Sequence, residues 1–253
     1  RAAALDGIRA FPVAEAYDVV LELLENNDLE NLPINLMVGV AVNALAAGRE
    51  EEGRKLMREI MPRLTTTDAV RRAIDAMRTQ KPNPEFARAL GYITQWYLAG
   101  PFHWNKGDAF EGVFIGEPQI SLTDSYSEDE KTLAWQLHTS SDTSALFNLM
   151  GLLGPIDSAV AFAYIEIEAA EDGPAQIRVG SDDGIRAWVN NEEVLQINID
   201  RGYAIDQNIS DITLKQGKNV ILMQITQIAG GWAFAARLTY PDGTPLEFTI
   251  VEQ

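Results

Sequence analysis

Apolar residues recur at three- and four-residue spacing through the first third of the chain and then change to a two-residue rhythm. The helical spacing runs through Val13, Tyr17, Val20, Leu21 and Leu24, then Ile34, Met37, Ala41 and Leu45. It continues through Leu56, Met57 and Ile60, and then Val70, Ala73, Ile74 and Met77, which predicts four amphipathic helices. Punctuation agrees: Asn26-Asn27-Asp28 ends the first, Pro33 opens the second, Gly48 closes it, and Thr65-Thr66-Thr67-Asp68 offers caps for the fourth. Beyond Lys81-Pro82-Asn83-Pro84 and a short helix-like segment at 86–90, strands are expected at 92–98, 132–138, 159–169, 175–179, 185–189, 211–214, 219–227, 232–240 and 246–251. So many short strands with no helices between them predict an antiparallel sandwich or jelly roll. The expected fold is α+β in two domains: a helical hairpin array over 1–80, a linker over 81–91, and an antiparallel β-sandwich over 92–253.

Two strands carry more detail. Val220-Ile221-Leu222-Met223-Gln224-Ile225 is apolar on both faces and is expected at the centre of a sheet covered on both sides. In 159–169, the alternation of Phe162, Tyr164, Glu166 and Glu168 with Ala161, Ala163, Ile165 and Ile167 marks one wet and one dry face.

Charge divides the chain in the same place. The net charge is −17; residues 1–90 carry 12 basic and 14 acidic side chains, whereas 91–253 carry 8 and 23. A surface so acidic repels phosphate backbones and anionic lipid, so neither nucleic acid nor membrane is an expected partner. With no cysteine in the chain, thiolate metal sites and cysteine nucleophiles are excluded. No apolar run reaches the ~20 residues of a membrane helix, and the start Arg1-Ala2-Ala3-Ala4 suggests a mature or trimmed piece of a longer precursor.

Catalytic signatures are missing from the sequence: no zinc-protease helix motif, no nucleophile elbow, no phosphate-cradling glycine loop and no dinucleotide fingerprint. A non-catalytic binding protein is therefore expected. The richest segment is Val179-Gly180-Ser181-Asp182-Asp183-Gly184-Ile185-Arg186-Ala187-Trp188-Val189-Asn190-Asn191, which sets two consecutive carboxylates in a turn between two strands. Gly184 can supply a positive φ there, and a hard cation would relieve the crowding of the carboxylates. Trp104, in a polar glycine-containing loop, offers a ring that can stack on a sugar face or plug the end of a sandwich. Trp96, Trp135 and Trp188 fall within strands and read as core.

Two resemblances add to this. Residues 43–60, with Gly48 at an inter-helix turn and Gly53, Met57 and Ile60 at packing positions, resemble one tetratricopeptide repeat; a HEAT-like array fits nearly as well. From about Ala159 to Tyr240 the chain resembles the anthrax protective antigen type of β-sandwich. The match rests on Ser181-Asp182-Asp183-Gly184-Ile185-Arg186-Ala187-Trp188, on Leu214-Lys215-Gln216-Gly217-Lys218-Asn219, and on Gly230-Gly231-Trp232-Ala233-Phe234. That resemblance implies a carbohydrate-binding domain. In its adhesin branch it also implies calcium held by Asp182 and Asp183 across a cis peptide, with an asparagine from a later loop. The corresponding Ile228-Ala229-Gly230-Gly231 has no side-chain oxygen, and in other branches the pair acts as a turn device whose carboxylates cap backbone amides. Asp182, Asp183, Trp104 and Asn190 are the candidate ligand contacts, and Asp182 and Asp183 the candidate metal ligands. Three functions remain open: an extracytoplasmic carbohydrate-binding protein, a scaffold subunit whose helices dock another protein, and an accessory domain of a secreted glycoside hydrolase.

Overall fold

A computed structural model describes residues 34–78, 84–104, 109–112, 114–128 and 131–251. The first predicted helix, around Val13 to Leu24, lies outside the described residues. The helices are α1 (Ile34–Ala46), α2 (Glu50–Ile60), α3 (Thr67–Met77) and α4 (Pro84–Ala89), with a 3₁₀ turn at Met61–Arg63. Gly48 stands between α1 and α2 at φ +78°, and Gly53 lets the two helices close up: a Cβ there would lie 2.6 Å from Leu45 Cγ. Thr66 caps α3 by accepting from the Ala69 amide at 3.2 Å.

The strands are β1 (Gln95–His103), β2 (Ser125–Glu128), β3 (Lys131–Ala134), β4 (Gln136–Thr139), β5 (Phe147–Asn148), β6 (Ala159–Ala169), β7 (Gly173–Asp182), β8 (Ile185–Val189), β9 (Glu192–Ile197), β10 (Asn208–Leu214), β11 (Gly217–Gln227), β12 (Ala233–Thr239) and β13 (Phe248–Ile250). A short helix, α5 (Leu149–Leu153), follows β5. The larger sheet runs β4-β1-β6-β11-β8-β9 with β13 added to β6, the smaller runs β10-β7-β12-β5, and the pairings are antiparallel. The α+β class with a β-sandwich is as the sequence predicts.

The sandwich core lies where inward-facing residues meet, among them Ile165, Ile177, Val179, Met223, Phe234 and Trp96. β11 sits between β6 and β8 with both faces buried, as its doubly apolar pattern predicts. The predicted wet face of β6 is a correction: Phe162, Tyr164 and Glu166 are buried. Phe102 and Phe114 pack on Phe162, and Trp135 packs on Tyr164, so the segment after β1 covers this face. Glu166 tolerates burial because it accepts from Tyr164 Oη at 2.6 Å and pairs with Lys218 Nζ at 2.6 Å. The predicted strand at 132–138 divides into β3 and β4 at Trp135, and that ring belongs to the covering cluster.

The helices cover the outer face of the smaller sheet. Met57, Ile74 and Phe86 share one apolar cluster with Tyr92, Ala145 and Ala235, and Tyr203 and Ile205 pack against it. Beneath this layer Arg237 and Asp206 form a buried bidentate pair, at 2.9 and 2.6 Å. Among the described residues no helix is long and apolar enough to cross a membrane.

Candidate functional site at the sheet crossover

β7 belongs to the smaller sheet and β8 to the larger, so the turn through Asp182, Asp183 and Gly184 carries the chain across one end of the sandwich. The crossover is pinned to β11, with the Asp183 amide donating to Thr226 O at 3.1 Å and the Thr226 amide to Gly184 O at 2.9 Å. Gly184 is required for room and not for a positive φ, which is a correction. A Cβ there would fall 2.6 Å from Thr226 Oγ1 and 2.9 Å from Ile197 O. The Asp182–Asp183 peptide is cis, as the resemblance implies.

The two adjacent carboxylates do different work. Asp183 is 1% exposed. Its Oδ1 accepts from the Arg201 amide at 2.9 Å and its Oδ2 from the Ile228 amide at 2.7 Å, so one side chain fastens two loops, 198–207 and 228–232. Its carbonyl accepts from Ser181 Oγ at 2.7 Å, and Arg201 Nη2 donates to the same Ser181 oxygen at 2.7 Å. Asp182 is only half-buried and accepts from the Tyr203 amide. Desolvation, and then the negative charges of Asp183 and Asp200, raise its pKa above the usual carboxylate value. Gly231 lets the 228–232 loop approach this carboxylate, since a Cβ there would lie 2.4 Å from Asp182 Oδ2.

The other expected site residues divide. Trp104 lies at the same end: its indole N–H donates to Gln227 O at 3.3 Å, one residue before the amide that Asp183 holds. Its ring is half-buried against the covering cluster. Asn190 is not brought to this tip. It lies past the opposite end of β8, at φ 51° with Asn191 at φ 68°, the paired left-handed conformation of a tight hairpin turn. Its side chain is engaged there, donating to Asn219 Oδ1 at 2.9 Å and accepting from the Val220 amide at 3.0 Å. The Asn-Asn pair between two strand-like runs was the signal for that turn. The roles of Ser181, Arg201, Tyr203 and Gln207 had no signal in the sequence, because their partners are distant in the chain.

Calcium takes six to eight oxygen ligands. At this tip Asp183 has both carboxylate oxygens on amides, and among the described residues no group of three acidic or imidazole side chains could hold a metal. In the later loop the Ile228 carbonyl accepts from the Ser158 amide at 3.2 Å, and the Gly230 carbonyl from Gln227 Nε2 at 3.2 Å. The residues present do not fit the calcium set that the resemblance implies.

No protein-family model and no curated protein matches the chain. Among solved structures, a PA14 domain of the MpAFP antifreeze protein is 16% identical over 37% of this chain and 48% of that one, with a TM-score of 0.31. A PA14 sugar-binding domain from an RTX adhesin is 16% identical over 63% of this chain and 96% of that one, with a TM-score of 0.33. A family 35 carbohydrate-binding module from an environmental isolate is 16% identical over 64% and 99%, with a TM-score of 0.28. The chain spans about half the length of the first of these structures, or less of others such as an anti-sigma factor domain-containing protein, of which it covers 35%.

Proposed function

We propose that the protein binds a neutral, hydroxyl-rich ligand of the carbohydrate class at the crossover tip, without catalysis and without a resident metal. The observation that carries this reading is the division of labour within the aspartate pair. Asp183 is consumed in holding two loops, which leaves the half-buried Asp182 as an acceptor at the surface of a built tip. A carboxylate flanked by Asp183 and Asp200 repels anions and accepts readily from paired hydroxyls. Trp104 contributes the edge of an anchored ring and not an open platform, since its N–H is tied to Gln227. An acidic sandwich reading sugar hydroxyls suits an extracytoplasmic setting.

The test is a titration of the full chain with glucose, galactose, mannose and their short oligomers, followed by amide chemical shifts. Binding should move the amides of Tyr203 and Gly231, and Asp182→Ala should weaken it at least about tenfold, as loss of a charged hydrogen-bonding group does. Sugar binding that ignores Asp182→Ala would place the site elsewhere.

A second reading has its own observation. On the helices, Leu45, Met57, Met61, Met77 and Phe86 line an apolar groove of about 260 Å³ with Arg54 and Arg58 beside it. Such a surface suits a protein partner and a scaffold role. A chain that binds no sugar, but whose association with a defined partner is lost on Arg54→Glu with Arg58→Glu, both at exposed positions beside the groove, would favour that reading.

A further inference from the structure

We propose that residues 198–207 are a strap by which the helical layer sets the geometry of the crossover tip, with Asp206 and Thr67 as positioning residues; this rests on the tip being the ligand site.

One half of the strap is fixed to the tip. The Arg201 amide bonds Asp183, Arg201 Nη2 bonds Ser181 Oγ, and the Tyr203 amide bonds Asp182. Gln207 adds a brace, accepting from the Ser181 amide at 2.9 Å and donating to Gly202 O at 2.7 Å. In the middle the strap lies against β7, where a Cβ on Gly180 would sit 2.0 Å from Ala204 O.

The other half is fixed to the joint between sheet and helices. Asp206 is 1% exposed at its side chain; it receives two bonds from Arg237, has Arg178 Nη1 at 3.7 Å, and accepts from Thr67 Oγ1 at 3.1 Å. Thr67 is the first residue of α3, and Tyr203 and Ile205 pack into the helical cluster. Tyr203 therefore has its amide on Asp182 and its ring against the helices. Only two residues separate it from Asp206, a span of roughly 10 Å even when extended, so a shift of α3 cannot be absorbed before it reaches the tip. The helical layer is thereby part of the binding device, and the carboxylate that meets the ligand takes its position from a helix start on the same, helix-covered face of the smaller sheet.

The test is amide hydrogen exchange on the full chain. Asp206→Ala strands a buried guanidinium and endangers the fold, so the variants are Thr67→Val and, as rescue, Thr67→Ser. Losing one hydrogen bond to Asp206 should speed exchange at Arg201 and Tyr203 about threefold to tenfold. The Ile228 amide, which also bonds Asp183 but lies off the strap, should be unchanged, and Thr67→Ser should restore wild-type rates. Unchanged exchange at Arg201 and Tyr203, or equal acceleration at Ile228, would overturn the proposal. A parallel galactose and glucose titration judges the tip separately: no sugar-induced shift in any variant counts against the ligand reading, while the exchange rates still decide the strap.

Discussion

Exchanging each aspartate of the crossover for asparagine should have very unequal consequences, although the two residues are adjacent and chemically identical. Asp183→Asn keeps the shape but leaves a single carbonyl oxygen where two amides, from Arg201 and Ile228, now donate to two carboxylate oxygens. One amide must then face an NH₂ group in a site that is 1% exposed. The loss of one charge-assisted bond and the stranding of a buried donor together cost about 3 kcal/mol, within a range of roughly 2–5. For a chain of this size that lowers Tm by about 6–12 °C. Asp182→Asn removes a charge that burial and two neighbouring acids already disfavour, so its effect should stay within about 0.5 kcal/mol at neutral pH. The assay is thermal and urea unfolding of both variants beside the wild type. Equal losses, or a larger loss at Asp182, would refute the assignment of Asp183 as fastener and Asp182 as the ligand-facing group.

The pH dependence follows with a definite sign. Because the folded state raises the pKa of Asp182, the native protein holds that proton to higher pH than the unfolded chain. Its contribution therefore favours folding at acid pH and declines as pH rises from the ordinary carboxylate value through the raised one; Asp182→Asn should flatten that part of the wild-type stability profile. Arg237→Leu leaves Asp206 buried without its bidentate partner and should cost about 3–5 kcal/mol in urea unfolding. Gly180→Ala forces a methyl against Ala204 O and should cost about 1–3 kcal/mol while accelerating exchange at the Tyr203 amide. Millimolar calcium should leave Tm within about 1 °C of the value in chelator, since a ligand raises Tm only by binding the native state; a larger rise abolished by Asp182→Asn would restore the metal site.

What the sequence disclosed was what repeats along it. Period and punctuation located α1 to α4, most of the strands, the cap ahead of α3 and the doubly covered β11, because each is written within a dozen neighbouring residues; they missed the short α5 between β5 and β6, where the sequence predicts no helix. At β6 local pattern is ambiguous: alternation of Phe162, Tyr164 and Glu166 is equally that of a half-exposed strand and of a strand under an aromatic cover. The cover comes from Phe102, Phe114 and Trp135, at a distance along the chain that no local pattern spans.

The tip shows the same limit more sharply. Asp182-Asp183-Gly184 announced a turn, but not that the turn passes from one sheet to the other, and that passage is what separates the carboxylates. As the chain leaves β7, Asp182 keeps the outward direction of Gly180 and Arg178 on the helix-covered face, beside the 198–207 loop. Asp183, already crossing toward β11, meets the amides of both that loop and 228–232. A pair of like charges at one site is thus resolved by giving them different partners: one carboxylate is held by two buried amides, and the other takes one amide and keeps acceptor capacity at the surface. The functional prediction therefore turns on the order of the two aspartates relative to the crossover. Moving the pair by a single position, with Asp182→Gly and Gly184→Asp together, preserves composition and charge. It would place a carboxylate against Thr226 Oγ1 and Ile197 O, where not even a Cβ has room, and should abolish folding. A stable, sugar-binding product of that exchange would show that proximity of two acids suffices and that the geometry argued for Asp182 is irrelevant.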